Sequence, residues 1–462
     1  MALTGSVKLT VDWTRPGKRR VSEAVHVAVH DEASSALQPW LLVLFITFLT
    51  ILSLLDRNII SLFLDEIRND LAISEVQASL IYGGAFAITF SLMGLPMGWA
   101  VDRISRRKVI CAGVSVWSIS TAACGLAPGF PSMLLARAGV GAGEAALVPS
   151  AHAIISDSFP PEKRTLPFAF YAMGQKAGAG IALLVGGFLA AIIVPHLSYE
   201  LSLGVSLKGW QIILISLGLP GILIAFMIFA FPEPPRTRNA SENTGYIPYL
   251  AYMRQNLAYF SGHHLGFIFA QSIYTGIMAW TPAYFTRVHG WSAADVGFWF
   301  GAVILVGPLV SLPAHGWICD RLLRRGVTTV HLNYQLVMLP LGAFPICGAY
   351  LVSDPVGGLI LLGIGMTLIA GSAAATSASL QLSIFGSMRG KAASVWMLTG
   401  ALASFVGPSG IALVNEELLG SEQSIGQSMA IFIAMAAVAA VLCFALARSG
   451  FRALYPPRTS AE

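Results

Sequence analysis

The sequence predicts an all-α membrane protein with twelve transmembrane helices in two pseudo-symmetric bundles of six. Of its 462 residues, 55% are hydrophobic and only 11% are charged, a balance that a water-soluble chain of this length cannot hide in one core. Apolar stretches of roughly 20 residues, the length of helix that crosses a hydrocarbon layer, recur along nearly the whole chain. A ten-residue pattern also occurs twice, about half a chain apart.

The apolar stretches define the helices in chain order. We expect them near residues 39–63, 76–100, 109–128, 132–158, 165–195, 209–231, 259–288, 292–319, 328–351, 355–382, 392–416 and 424–447. Three prolines in the polar stretch Pro232-Glu233-Pro234-Pro235 mark a linker between the two halves. The predicted organisation is an N-terminal tail (1–38), a first six-helix bundle (39–231), a linker (232–258), a second bundle (259–447) and a C-terminal tail (448–462).

The basic residues predict the orientation in the membrane. With both termini in the cytoplasm, 22 of the 28 lysines and arginines fall in the tails and the even-numbered connections, whereas only Arg68, Lys208 and Arg287 face the other side. The net charge of +5 therefore belongs to loops that meet anionic lipid and does not indicate nucleic-acid binding. The five cysteines lack the spacing of a metal site, and we expect neither a metal nor a cofactor.

The repeated pattern lies between the second and third helix of each half. Gly-Trp-Ala-Val-Asp-Arg-Ile-Ser-Arg-Arg begins at Gly98, and Gly-Trp-Ile-Cys-Asp-Arg-Leu-Leu-Arg-Arg begins 218 residues later at Gly316. Matching Gly, Trp, Asp and Arg positions indicate an internal duplication. The pattern resembles the signature Gly-x-x-x-Asp-Arg-x-x-Arg-Arg of the major facilitator superfamily. That resemblance implies a secondary transporter, not an enzyme, which moves a small solute by alternating access.

The same resemblance predicts a cytoplasmic gate, because in that family the loop latches the outward-open state. A glycine there lets helices approach closely, a carboxylate meets the positive end of a helix, and arginines hold helix ends together. The predicted gate residues are Gly98, Asp102, Arg103, Arg106, Arg107, Asp157, Gly316, Asp320 and Arg321. The alternative is a basic loop that only fixes the topology.

Two further stretches resemble the bacterial Spinster-like branch of the superfamily. They are Leu55-Asp56-Arg57-Asn58 on the first helix, and the fourth helix from Leu135 to Ala145, followed by Asp157-Ser158-Phe159-Pro160. Animal relatives of this branch are implicated in the export of sphingosine phosphate and lysophospholipids, so a lysolipid or sphingolipid-like exporter is an alternative hypothesis. The resemblance implies a monomer in a bacterial inner membrane.

Four ionisable residues inside the predicted helices indicate proton coupling. A charge in hydrocarbon costs roughly 2.5–3.5 kcal/mol on insertion scales, so each needs a partner or a watery cavity. Asp56 and Arg137 share a depth and can pair, whereas Arg57 points about 100° away from Asp56 and is expected to bind a carbonyl or reach outward. Glu144 lies two turns beyond Arg137, near the midplane, where it suits a proton carrier. The alternative is a static buried ion pair.

A lysine on the fifth helix indicates an anionic substrate. Lys176 lies about 16 Å deep, close to the level of Glu144, and the resembling sequences usually carry apolar or small residues there. A cation in a low-dielectric cavity attracts a carboxylate, sulfate or phosphate. Gln175, Gln271 and Tyr274 are the other predicted substrate contacts, and they suit a solute with an acidic end and an apolar body. Alternatively Lys176 is neutralised by Glu144, and Gln271 and Tyr274 only pack.

The leading hypothesis is therefore a proton-linked secondary transporter of a small organic anion. Its expected partners are the substrate, protons and membrane lipids. A membrane enzyme and a non-transporting membrane sensor are the alternatives from other classes. The chain has no nucleophile elbow, no His-Glu zinc motif and no phosphate-binding Gly-Lys-Ser/Thr loop, which argues against the enzyme and against an ATP-driven pump.

Overall fold

A computed structural model describes residues 18–160, 163–193, 199–201, 205–235, 247–384 and 389–454. Eleven helices in these ranges are long and apolar enough to cross a membrane. They are Leu37–Leu62, Glu75–Arg103, Arg106–Gly125, Phe130–Ser158, Leu166–Ile193, Gly209–Ala230, Ala293–Arg324, Val330–Ala349, Pro355–Leu382, Ser394–Leu419 and Glu422–Leu454. The all-α membrane architecture expected from the composition is confirmed.

The individual helices have the following bounds. They are α1 (Lys18–Leu62), α2 (Leu64–Leu71), α3 (Glu75–Ser79), α4 (Ala85–Arg103), α5 (Arg106–Gly125), α6 (Phe130–Glu144), α7 (Leu147–Ser158), α8 (Thr165–Ile193), α9 (Gly209–Phe226), α10 (Ile247–Gln255), α11 (Leu257–His289), α12 (Ala293–Arg324), α13 (Val330–Ala349), α14 (Pro355–Ile369), α15 (Ser372–Leu382), α16 (Arg389–Leu413) and α17 (Ile425–Leu454). Wider π-helical turns join α3 to α4 (Leu80–Gly84) and extend α16 (Val414–Leu419).

Helix α11 takes the place of the seventh predicted helix but is less apolar than the others. It has 33 residues, including histidines, tyrosines and a glutamine, and most of its side chains are buried. It packs against α16 and α17. Because its polar groups face protein and not lipid, its length fits a span although its composition alone does not identify one.

Several boundaries differ from those expected. Helix α1 begins at Lys18, inside the predicted tail, and α10 lies inside the predicted linker. The fourth and tenth predicted helices are each broken, after Glu144 and after Ile369. At the first break the Ala146 amide bonds the Gly143 carbonyl three residues back, and Pro149 in the first turn of α7 has no amide N–H to bond the Ala145 carbonyl. Residues 1–17, 236–246 and 455–462 of the predicted tails and linker lie outside the described residues.

A short hairpin was not expected from the sequence. Strands β1 (Tyr199–Leu201) and β2 (Val205–Leu207) pair antiparallel, with Glu200 opposite Ser206. They lie between α8 and α9, in a connection for which the sequence predicts neither a helix nor a strand. The hairpin adds a small cap to an otherwise helical molecule.

The two halves touch along α8 with α12, and along α3 and α4 with α16. A Cβ atom on Gly187 would lie only 2.9 Å from the Cα of Gly297, so only glycine permits this crossing. We call the end of the molecule near this crossing the closed face. The other end carries both copies of the repeated pattern, and we call it the loop face. There an added Cβ on Gly98 or Gly316 would meet nothing within 4 Å. The halves therefore meet toward the closed face and separate toward the loop face.

Candidate functional site: a cavity between the two halves

A cavity of about 300 Å³ lies between the two halves. The first half contributes lining residues from α1, the turn before α4, α4 itself and α8, and the second half contributes residues from α11, α12, α14, α15 and α16. Among its described lining residues, Arg57 and Lys176 are the charged ones, and neither an aspartate nor a glutamate lines it. The arrangement can attract an anion into a space that is mostly apolar.

Arg57 connects the cavity to a buried carboxylate. Its Nη2 atom lies 2.6 Å from Oε2 of Glu144, and the same oxygen accepts a 2.7 Å hydrogen bond from the Ser53 hydroxyl. The Arg57 side chain is 31% exposed, whereas that of Glu144 is 1% exposed. The guanidinium also lies 4.1 Å from the centre of the Phe86 ring. Arg57 neither reaches outward nor binds a carbonyl, so the expectation for this residue was wrong.

The expected ion pair between Asp56 and Arg137 is not formed. Arg137 donates from Nε to the Ile81 carbonyl at 3.1 Å and from Nη2 to the Tyr82 carbonyl at 3.3 Å. Both carbonyls belong to the π-helical turn before α4, where the wider backbone offers oxygens to a side chain. Asp56 accepts a 3.4 Å hydrogen bond from Thr121, and its Oδ1 has no hydrogen-bond partner among the described residues. Asp56 and Arg137 are nevertheless both buried close to Glu144.

Lys176 lies on α8 and lines the cavity. Its side chain is exposed to that space, and no carboxylate lies within 4 Å of its ammonium group in the part of the chain that the structure describes. The expected resting partner, Glu144, is held by Arg57 instead, because Arg57 is the closer cation and its planar group suits a carboxylate. The alternative hypothesis that Glu144 neutralises Lys176 is therefore wrong for this conformation.

The remaining predicted substrate contacts also line the cavity. Gln175 lies beside Lys176, and Gln271 and Tyr274 lie across from them on α11. The second half adds a surface that we call the apolar wall, formed by Met278, Val303, Ile304, Pro308, Leu312, Met366 and Ile369. The cavity thus has cations on one side and mainly hydrocarbon on the other.

The predicted gate residues of the first half bind within that half. Arg106 forms an ion pair with Asp157, which ties the start of α5 to the end of α7. Glu233, just after α9, accepts from the Arg106 amide at 2.8 Å and from the Ser105 hydroxyl. Arg107 donates to the Phe231 carbonyl at 2.8 Å. Burial raises the pKa of Glu233, but the hydrogen bonds from Ser105 and Arg106 and the nearby arginines outweigh it and hold that pKa below its usual value.

The other predicted gate residues lie at the surface of the loop face. Asp102, Arg103, Asp320 and Arg321 are exposed. The Arg103 guanidinium lies 4.7 Å from the centre of the Trp99 ring, and Arg321 repeats the contact with Trp317 at 5.3 Å. This recurrence fits the duplication.

The predicted close helix contact at the two gate glycines is wrong in this conformation. An added side chain at either Gly98 or Gly316 would meet open space. The reason is that α4 at Gly98 and α12 at Gly316 have no neighbouring atoms within 4 Å of an added Cβ among the described residues, so no helix of the opposite half lies against them there.

An ionic cluster at the closed face was missed from the sequence. Arg287, at the end of α11, forms two bonds of 2.5 and 2.8 Å to Asp65 and one of 2.5 Å to Glu75. Asn415 donates to Glu75 at 2.8 Å, and Arg68 pairs with Glu422. The cluster therefore joins the first half to the second. The sequence did offer one sign of this cluster, because Arg68 and Arg287 are two of the three basic residues assigned to that side of the membrane.

The comparisons with known proteins agree with this architecture. A sequence profile of the Major Facilitator Superfamily matches residues 46–408. An MFS-type efflux pump of Mycolicibacterium smegmatis is 22% identical over 92% of this chain and 96% of its own length. The D-galactonate transporter of Escherichia coli O6:H1 is 25% identical over 62% of this chain and 67% of its own length. Protein spinster of Drosophila melanogaster is 25% identical over 62% of this chain, but the match covers only 46% of that protein.

Solved structures give the same result for the fold. A bacterial homolog of the human lysosomal transporter Spinster, in an inward-facing and unoccupied conformation, matches with a TM-score of 0.75 and 22% identity over 92% of this chain and 99% of that one. A D-xylose–proton symporter matches with a TM-score of 0.65 and 19% identity over 87% of this chain and 96% of that one. The expected likeness to Spinster proteins is confirmed. The chain belongs to the Major Facilitator Superfamily and is an integral membrane transporter, not an enzyme.

Proposed function

We propose that this protein is a proton-coupled carrier of a small organic anion and works by alternating access. The observation that carries the proposal is the charge of the central cavity, whose described lining includes Arg57 and Lys176 and no acidic residue. A cation in a low-dielectric space attracts an anion strongly, and the surrounding glutamine and tyrosine side chains can orient it. The sugar-acid substrates in the names of relatives, D-galactonate and hexuronate, are anions of this kind.

The contact between Arg57 and Glu144 suggests how protons take part. An anion that binds Arg57 competes with Glu144 for the same guanidinium. Glu144 is buried and is then left without its cationic partner, which makes it the first proposed proton carrier. Asp56 lies in the same buried cluster and is the second proposed carrier. The alternative is that these residues form only a static ion pair, in which case flux is independent of the proton gradient.

The separation of the halves at the loop face supports a state open on that side. By the distribution of basic residues, this is the cytoplasmic side, and both termini lie there in a bacterial inner membrane. We propose that α11 is the twelfth span and that the protein acts as a monomer. The closed-face ionic cluster then holds this inward-open state, and the nine gate residues of the loop face hold the opposite one.

A lysolipid or sphingolipid-like substrate is the second candidate. The apolar wall favours it, because Met278, Met366 and their neighbours can cover a hydrocarbon body while Lys176 holds an acidic head. The resemblance to the Spinster-like branch is the second reason for this candidate. Both candidates need the same two cations, and they differ in the length of the apolar part.

A binding screen followed by transport in liposomes tests the proposal. Purified protein is heated with D-galactonate, D-glucuronate and lysophosphatidic acid, each beside an uncharged analogue, and ligand-induced stabilisation is measured. We expect an acid to stabilise the protein and its uncharged analogue to fail. The same acid should accumulate in proteoliposomes under an imposed proton gradient. Equal stabilisation by charged and uncharged partners would contradict the anionic substrate.

A further inference from the structure

A second cavity lies outside the transport site, on the side of the first half. It is a groove of about 480 Å³ between α4 and α5, and α6 forms its floor. It shares no lining residue with the central cavity. Met93, Ile104 and Val116 on its walls are 39%, 44% and 45% exposed, so the groove is open along its length. Helix α5 packs on α6 and α9 within its own half, so the opening faces the surroundings of the bundle.

The shape of the groove follows from small residues. Gly113 on α5 and Gly143 on α6 allow these helices to cross closely, since a Cβ on Gly113 would lie 2.7 Å from the Gly143 carbonyl oxygen. Helix α4 makes little contact with α5 beyond the loop that joins them, and the groove fills the space between them. From Met93 to Ile104 it follows α4 for about 16 Å, which is roughly one leaflet of a bilayer.

The loop-face end of the groove carries a cation. Lys108, in the first turn of α5, is the charged residue among its described lining, and the rest of that lining is apolar or glycine. Arg106 is already bound to Asp157, and Arg107 to Glu233 and the Phe231 carbonyl. Lys108 is exposed and forms no ion pair with a carboxylate among the residues described. The groove is thus lined mainly by apolar side chains and ends at the Lys108 ammonium group, at the level of the lipid headgroups.

We propose that this groove binds an anionic phospholipid, with one acyl chain between α4 and α5 and the phosphate at Lys108. Charge complementarity selects the lipid, because one lysine at the membrane surface favours an anionic headgroup over a zwitterionic one by about fivefold. The apolar walls select an acyl chain over a soluble phosphate, which would leave them uncovered. At its loop-face end the groove is bounded by the loop between α4 and α5, which carries the first copy of the repeated pattern.

Native mass spectrometry of the purified full chain tests the proposal with two probes, dioleoylphosphatidylglycerol and dioleoylphosphatidylcholine. The parent protein should retain one phosphatidylglycerol at about a fivefold lower concentration than phosphatidylcholine. Lys108→Gln should abolish that preference and leave chain binding in place, whereas Lys163→Gln, at an exposed loop-face lysine outside the groove, should keep it. Inorganic phosphate should not compete.

A variant that fills the groove provides a second test of the proposal. Ala112 is exposed and lines the groove, so Ala112→Phe should occupy the slot and remove retention of both lipids. Ile119→Phe is the matched control, because Ile119 is 55% exposed on the same helix but outside the groove. Equal retention of the two lipids by the parent, or equal loss in Ala112→Phe and Ile119→Phe, would overturn the proposal. If Ala112→Phe fails to fold, Lys108→Gln decides alone, since its side chain supports no packing.

Discussion

The two halves repeat one scaffold, but their cavity surfaces differ in charge. Lining residues at positions 54, 57 and 58 on α1 have the same spacing as those at 271, 274 and 275 on α11, and in that spacing Tyr274 takes the place of Arg57, although this offset of 217 residues is one less than that of the repeated loop pattern. By the same correspondence the buried Ile273 matches Asp56. Each half also breaks its fourth helix, immediately after Glu144 in the first half and after Ile369 in the second.

The charged residues of the first half are therefore matched by apolar or neutral ones in the second. Of the described residues that are buried, all the aspartates, glutamates and arginines belong to the first half. Their polar partners are also local, such as Ser53, Thr121 and the carbonyls of the π-helical turn. Both halves therefore contribute the same helical framework to the site. Among the described lining residues, only those of the first half are charged. The lesson is that symmetry of fold predicts where a site lies but not which half performs its chemistry.

The largest effect is expected from removing the buried carboxylates of the first half. Glu144→Gln combined with Asp56→Asn should abolish accumulation of the substrate under a proton gradient, because no group remains to bind the proton at the site. Downhill exchange should persist. Uptake in proteoliposomes with and without a pH gradient measures the difference. Glu417→Gln, at an exposed acid of the second half, is the control and should behave as the parent. Gradient-driven accumulation by the double variant would show that other groups carry the proton.

A second large effect is expected at the closed-face ionic cluster, where Arg287 of the second half binds two carboxylates of the first half. Arg287→Gln leaves Asp65 and Glu75 without this cation, and because the cluster is only partly buried the cost is below the roughly 3–5 kcal/mol of breaking a fully buried pair. Even a partial loss should shift the balance of states about tenfold away from the closed-face contact. Distances between spin labels across that face measure the shift. Lys208→Gln is the matched control, because Lys208 pairs with Asp70 on the same face but within one half. Identical distance distributions in the two variants would remove Arg287 from the gate.

Substrate affinity tests Lys176, which has no ionic partner among the described residues. Lys176→Met keeps much of the side-chain stem and removes the charge, so affinity for the acid should fall roughly 10- to 100-fold. Lys176→Arg should retain part of it. Tyr274→Phe, on the neutral half, should cost less than either charge removal. Ligand-induced stabilisation and transport KM measure the series. Undiminished binding by Lys176→Met would make the lysine structural.

A smaller effect is expected at the loop face, where Glu233 binds the start of α5 in the first half. Because folding lowers the pKa of Glu233, the clamp contributes its full stability above the ordinary pKa of a glutamate and loses it as pH falls through the lowered value. Glu233→Gln should reduce thermal stability at pH 7 by a small amount, about 0.5 kcal/mol for this solvent-screened surface group. The difference from the parent should vanish at a pH below the lowered pKa of Glu233. A difference that persists in strong acid would assign the loss to packing.

Much of the fold was predictable because it depends on local composition and on length. Apolar stretches of membrane-spanning length located the helices, and the helices expected to border the site carry Lys176, Gln175, Gln271 and Tyr274, all of which line the cavity. The hairpin between α8 and α9 escaped because short strands carry little signal. The second helix break, at Ala370 and Gly371, escaped because no proline marks it, whereas Pro149 was an available signal for the first.

The ionic partners were less predictable, because each side chain had several candidates at a similar depth. Depth alone favoured Asp56 with Arg137 and Glu144 with Lys176. The π-helical turn instead presents two carbonyls that bind Arg137, which leaves Glu144 to Arg57. The closed-face cluster joins Arg287 to Asp65 over 222 residues of sequence, and no local pattern encodes that contact.

The most direct test of the account follows protons while the anion moves. Proteoliposomes containing a pH-sensitive dye are given the acid that best stabilises the protein, with the membrane voltage clamped by potassium and valinomycin. We predict that entry of the anion acidifies the lumen of liposomes that contain the parent protein. The double variant Asp56→Asn, Glu144→Gln should carry the anion without this change in luminal pH. Entry of the anion into parent liposomes with no change in luminal pH would contradict proton coupling through the Arg57–Glu144 pair.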